Sequence, residues 1–279
     1  SHTSHRCPYP RFSQPCSGIT CVGKRESFQY HVVLEKTITT TAVAFILSSL
    51  GLAFFGWRFS KAFHKTSDSK GGSKVGLLLS LFFIGFTIQT GVILGIGSIL
   101  LSQYQNGLHL QLVIANSFLT IIALLGAYTT FYIFFPKKSP VFLMTATFIL
   151  GIAATILSIT NPSAPFITTK GGIDWNVASP LSLVMFCLLL IGIGSQLYIF
   201  TNLFFQAKTR ELKNTSLIIS VMALGGIAGQ FFRFIVFQGN SNPTFRTNIY
   251  DLTTGAVGLI FIVGLVILSF SKRKDAVIK

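Results

Sequence analysis

The stretch VGLLLSLFFIGFTIQTGVILGIGSILLS, residues 75–102, runs without a single charged side chain. About 20 predominantly apolar residues in a helix suffice to cross the hydrocarbon core of a bilayer. Six further stretches of comparable character lie on either side of it, at roughly 37–57, 108–135, 141–160, 179–205, 215–237 and 252–270. Lipid offers the backbone no hydrogen-bond partners, so uninterrupted runs of this length predict helices rather than barrel strands. The composition agrees. Apolar residues make up 51% of the 279 and charged residues 10%, with a mean hydropathy of +0.66, whereas a soluble domain carries about 25% charged residues. The expected fold is all-α, a multi-pass protein of the cell membrane with seven transmembrane helices.

A net charge of +15 would suit a nucleic-acid partner if the charge formed one patch,. It does not. Arg58, Lys61, Lys65, Lys70 and Lys74 follow the first span, Lys137 and Lys138 the third, Lys208, Arg210 and Lys213 the fifth, and Lys272, Arg273, Lys274 and Lys279 the seventh. The alternate connections are nearly bare: 103–107 has no Lys or Arg, 161–178 has Lys170, and 238–251 has Arg246. The positive-inside rule then places the N-terminus outside and the C-terminus in the cytoplasm, and no nucleic acid is expected. The lipid bilayer is the partner that this charge pattern addresses. Arg6, Arg11, Lys24, Arg25 and Lys36 run against the rule.

Three regions follow: an extracellular tail over 1–36, the seven-helix domain over 37–270, and a basic cytoplasmic tail over 271–279. The first tail has neither an initiating Met nor the apolar core of a signal peptide, and reads as a disordered, processed or artefactual end,. It holds Cys7, Cys16 and Cys21, with His2, His5 and His31 beside them, at spacings that match no standard zinc pattern,. A single disulfide or a chance arrangement is expected, and no metal. Cys187, inside the fifth span, is expected to pack as a small apolar residue.

Internal matches suggest a duplication. TAVAFIL in the first span echoes TATFIL in the fourth, LGIGSILLSQYQN in the second echoes IGIGSQLYIFTN in the fifth, and IIALLGAYTTFYIFF in the third echoes VMALGGIAGQFFRFIVF in the sixth. Three matches near one offset fit an inverted three-helix repeat, helices 1–3 against 4–6, as in many secondary transporters. Two GxxxG pairs, Gly91 with Gly95 and Gly225 with Gly229, predict close helix packing within the bundle,.

The chemistry open to the membrane region is limited by what it lacks. Of seven carboxylates, Asp251 alone touches a span, at the mouth of the seventh, which argues against a carboxylate proton relay,. Only His109 among the histidines is near a span, so paired axial ligands for haem are missing,. The seventh span has no lysine for a retinal Schiff base, and no nucleophile stands beside a base,. Neither a cofactor nor an enzyme activity is expected.

Polar uncharged residues remain as candidates for a site. Gln89 and Thr90 lie in helix 2, Asn116 and Thr120 one turn apart in helix 3, and Ser195, Tyr198 and Asn202 on one face of helix 5 beside Gln196,. They are expected to turn inward, either to bond a neighbouring helix or to line a polar cavity. Arg233 lies about four residues, near 6 Å, below the end of the sixth span. It either snorkels to the head groups or, with Gln230 on the same face, turns inward to meet Asp251, Asp174 and Trp175, or an anionic ligand. The candidate ligand-binding set is Arg233, Gln230, Asp251, Gln89, Asn116 and Gln196.

LYIFTNLFFQAKTRELKNTSLIISVMALGGIAGQFF, with its basic turn and Gly-rich helix, and the basic turn GWRFSKAFHKTSDSKGGSKVGLLLSLFFIGF resemble the seven-helix sensory regions found N-terminal to many prokaryotic histidine kinases. The resemblance implies a membrane sensor. Because the sequence ends at SKRKDAVIK, such a sensor would signal through a separate cytoplasmic partner or be a fragment. The expected function is therefore a sensor or receptor acting on such a partner. The alternatives are a small-solute carrier built from the repeats, or a non-catalytic accessory subunit of a membrane complex.

Overall fold

The computed structural model describes residues 22–65, 70–101, 104–161, 165–168, 172–236 and 242–277. Cys7, Cys16, Cys21, His2 and His5 lie outside them. Seven helices among the described residues are long and apolar enough to cross a membrane: Thr40–Lys61, Lys74–Leu101, Asn106–Phe134, Val141–Ile159, Ser179–Gln206, Arg210–Val236 and Pro243–Gly264. The elements that build them are α1 (Val22–Lys65), α2 (Lys70–Thr87) continued by a π-helical segment (Ile88–Ile96) into α3 (Gly97–Leu101), α4 (Gln105–Phe134), α5 (Val141–Ile159), α6 (Ser179–Gln206), α7 (Arg210–Phe231) with a second π-helical segment (Phe232–Val236), and α8 (Pro243–Val277).

Two boundaries differ from those expected of the sequence. Helix α1 begins at Val22 rather than at 37. A helix nucleated by an apolar span propagates at low cost through a polar flank, which hydropathy does not register. The seventh span begins at Pro243 rather than 252, so Asp251 sits about two turns inside the helix rather than at its mouth. Pro243 is a suitable first residue because its missing N–H would have no partner there, and Asn242 Oδ1 accepts the N–H of Phe245 at 3.2 Å as a cap,.

Neighbouring elements define a ring. The first span packs on the second and the seventh, the seventh on the sixth, the sixth on the fifth, the fifth on the third, and the third on the second. The fourth span stands outside this ring, against the third and fifth. Its outward face carries Phe142, Phe148, Ile149, Ile152 and Ile156, all exposed, as lipid would require,. Close approach depends on glycine. A Cβ on Gly151 would lie 2.0 Å from Thr120 Cγ2, joining α5 to α4, and one on Gly91 would lie 2.6 Å from Ser49 Oγ, joining the second span to the first. Gly95 packs on Ile46, Gly225 on Val257 and Gly229 on Thr253. Both GxxxG pairs therefore serve contacts within the chain, as the sequence predicts.

The two ends of the ring are closed differently. At the end carrying the basic loops, Phe55, Phe82, Phe83 and Phe200 form a buried aromatic core with Ile122, Ile199 and Ile219, and Arg58 Nη2 meets Glu211 Oε1 at 2.6 Å. At the opposite end the 161–178 connection folds into an antiparallel hairpin of β1 (Phe166–Ile167) and β2 (Ile173–Asp174). Ile173 and Trp175 are buried with Leu108, Leu112, Leu181, Met185 and Phe234, so the hairpin caps the bundle. Asn176 leaves it with φ 44°, a left-handed conformation that Asn tolerates better than most residues. Its N–H donates to Asp174 Oδ1 at 2.9 Å, and its carbonyl accepts from Asn161 Nδ2 at 3.2 Å.

Candidate functional site

The hairpin end holds a polar network that crosses the bundle. Thr41 on α1, fully buried, places its Oγ1 3.0 Å from both carboxylate oxygens of Asp251 on α8. The same oxygen accepts the N–H of Ile173 in β2 at 3.3 Å. Arg246, just over one turn before Asp251, donates from Nη2 at 2.6 Å and Nε at 3.2 Å to Asp174 Oδ2. Three distant parts of the chain, α1, β2 and α8, are tied here without leaving the carboxylates of Asp174 and Asp251 bare, the condition under which charge is tolerated in a membrane protein,.

Arg233 turns inward beside this network. Its guanidinium carbon lies 3.6 Å from the ring centre of Tyr250 and 4.7 Å from that of Phe234, two cation–π contacts with buried rings,. Arg233 also attracts Asp251 electrostatically. Of the neighbours expected from sequence, Asp174 is engaged by Arg246 instead, while Trp175 lines the same cavities as Arg233.

Both π-helical segments serve this region. Gly97 N–H donates to Val92 O, five residues back, and the wider turn admits an additional residue per cycle. The hydroxyls of Thr87 and Thr90 bond the carbonyls of Phe83 and Phe86 at 2.8 Å, a local competition that bends helices. The segment turns Gln89 and Leu94 toward the interior, and the second one does the same for Arg233 and Phe234.

Three cavities adjoin along the ring axis. The first, of about 50 Å³, lies under the hairpin between Asp174, Trp175, Arg233, Arg246 and Tyr250. The second, of about 80 Å³, shares Trp175, Arg233, Phe234 and Tyr250 with it and continues between Gln89, Asn116 and Gln230. The third, of about 130 Å³, shares Phe45, Phe86, Thr90, Gln230 and Tyr250 with the second and extends past Gln196 to Ile219 and Val257. Tyr250 borders all three, and Arg233 stands between the first two.

The candidate residues converge unequally. Arg233, Gln230, Gln89 and Asn116 border the middle cavity, and Gln196 and Gln230 the deep one. Asp251 is held in the network above. Gln89 Nε2 donates to Ala115 O at 3.0 Å and Asn116 Nδ2 to Ser158 Oγ at 2.6 Å, so these two amides hold helices together. The stripe expected of the fifth span is not inward: Tyr198 is 48% exposed, and Asn202 returns its amide to Tyr198 O at 2.8 Å. Gln196, next to that stripe, is the residue that faces the interior, because α6 packs on α4 and α7 with the other side. Tyr250, Thr41 and Arg246 were not singled out from sequence. Extending the seventh span to Pro243 exposes the signal, since Arg246, Tyr250, Thr254 and Val257 recur at helical spacing,.

Among the described residues no group of three or more His, Cys, Asp or Glu side chains is placed to hold a metal ion. No family model, no curated protein and no solved structure matches the chain.

Proposed function

We propose that this chain is a membrane receptor: a small molecule reaches the central cavities from the hairpin side, and the helix movement it causes passes to a separate partner on the basic side. The observation that supports this is the one-sidedness of the interior. The cavities run from beneath the hairpin past Gln196 as far as Phe83 and Ile219, whereas beyond these, toward the basic loops, the ring is filled by Phe55 and Phe200 and crossed by the Arg58–Glu211 pair. The basic loops favour a cytoplasmic position for that closed side, and the resemblance to kinase-linked sensory regions favours the same assignment. A second reading, a small-solute carrier, is favoured by the three segment matches between spans 1–3 and 4–6,.

Side-specific thiol labelling separates the two. In a cysteine-free full chain, single cysteines at Gln89, Asn116, Gln196 and Gln230 are challenged with a membrane-impermeant reagent from each face of sealed vesicles. Labelling of Gln230→Cys from the hairpin face alone is the receptor outcome. Labelling of one position from both faces, with protection by a transported solute, sinks the receptor and supports the carrier.

A further inference from the structure

Among the buried side chains that line the deep cavity, Gln196 is the one whose hydrogen-bonding capacity is wholly unused. Gln196 is 2% exposed, and neither its Oε1 nor its Nε2 has a partner. Other buried amides differ: Gln89 and Asn116 each donate across helices, and Gln111 Nε2 bonds Ile93 O at 2.7 Å. An unpaired amide in an apolar interior is costly, and a native one requires an explanation. The remaining wall does not supply it. Ser48, Thr90 and Thr253 give their hydroxyl protons to the carbonyls of Ala44 or Thr254, Phe86 and Tyr250 respectively; Gln230, Tyr250 and Thr254 also border the cavity, toward the middle one and α8, and most of the remaining lining is apolar, Phe45, Phe82, Phe83, Phe86, Met222 and Val257 among it.

We infer that the deep cavity binds a small, mainly apolar molecule bearing a carboxamide or an undissociated carboxylic acid, which pairs edge to edge with the Gln196 amide. Such a group presents a donor and an acceptor side by side. It gives one bond to Oε1 and takes one from Nε2 in a closed ring, so that a single ligand group satisfies both atoms with two near-linear bonds. Size sets the remainder. An apolar cavity of about 150 Å³ accommodates benzene, and this one, of about 130 Å³, borders the middle cavity through Phe86 and Gln230. A single ring or a chain of about six carbons is the size that fits. The phenylalanine rings that surround the cavity favour edge-to-face contact with an aromatic ligand. This assignment deepens the receptor reading and rests on it.

Benzamide and acetophenone provide the test, because they differ in shape only by NH2 against CH3. The full chain carrying Gln230→Cys in a cysteine-free background, in lipid nanodiscs, is alkylated in the presence of each compound. Benzamide is expected to slow alkylation with an apparent affinity at least about tenfold tighter than acetophenone, as a site built to bond both atoms discriminates against a ligand that lacks the donor. Adding Gln196→Met, which keeps the side-chain length, is expected to bring the two compounds to parity. Non-specific partitioning into lipid predicts the reverse order, since acetophenone is the more apolar. Parity on the chain with Gln196 intact overturns the assignment, as does a benzamide preference that survives Gln196→Met. The first of these comparisons does not depend on the second variant folding. A thiol that labels from the hairpin face of sealed vesicles but ignores benzamide in nanodiscs overturns the ligand class alone; a thiol that labels from neither face of the vesicles overturns the receptor reading and the ligand class together.

Discussion

The guanidinium carbon of Arg233 sits 3.6 Å from the ring centre of Tyr250, joining the sixth span to the seventh at the point where the cavities meet. The pair explains how a cation is kept inside a bundle that has few carboxylates. The ring face supplies negative potential, Asp251 adds a longer-range attraction, and neither demands the desolvation of a second full charge in direct contact.

Replacing Arg233 with Leu is expected to abolish the response to ligand while leaving expression intact. The lost cation–π contacts should lower stability by about 0.5–2 kcal/mol, read by thermal unfolding in nanodiscs. Tyr250→Phe, which keeps the ring, should retain most of that stability, whereas Tyr250→Leu should lose it. An unchanged ligand response in Arg233→Leu removes Arg233 from the site.

Gln196→Met is expected to make the ligand-free protein more stable by about 1–3 kcal/mol, because it removes two buried atoms that have no partner,. A stability gain at the cost of binding is the pattern of a functional rather than an architectural residue. Loss of stability of similar size would mean that Gln196 holds helices together.

Thr41→Val should destabilise the fold by about 1–3 kcal/mol, since it strips a hydrogen bond from the half-buried Asp251 carboxylate and leaves the buried Ile173 N–H unpaired,. Neutralising the more exposed Arg58–Glu211 pair with Arg58→Gln should cost less, about 0–1 kcal/mol,. Denaturation of the two variants side by side checks the order, and the reverse order would put the main tie at the basic end.

Gly151→Ala places a methyl into Thr120, whose Cγ2 lies 2.0 Å from the new Cβ. Overpacking of this kind costs about 1–3 kcal/mol. Thr120→Ala removes the nearest atoms, so the double variant should recover part of the loss, and the two effects should not add. Strict additivity in an unfolding series would place the fourth span elsewhere than on α4.

Length and hydropathy alone carried the number of spans and the helical class, because lipid removes every alternative for the backbone and leaves composition as the deciding variable; the spacing of Gly91 with Gly95 and of Gly225 with Gly229 carried the two GxxxG contacts. The same criterion misplaced the polar ends. It started the seventh span at 252 and so left out Arg246 and Tyr250 as loop, although a helix continues through polar residues once an apolar segment has nucleated it,. Which amides would stand idle was equally hidden. Gln89, Asn116 and Gln196 look alike in sequence, yet two of them find a carbonyl or a hydroxyl across a helix interface and one does not. That difference depends on the rotation of each helix about its own axis and on which neighbour it meets, the π-helical turns at Ile88–Ile96 and Phe232–Val236 included. Helix rotation is set by the packing of the ring as a whole, by glycines such as Gly91 and Gly151 that let particular faces approach, and no single stretch of sequence contains it.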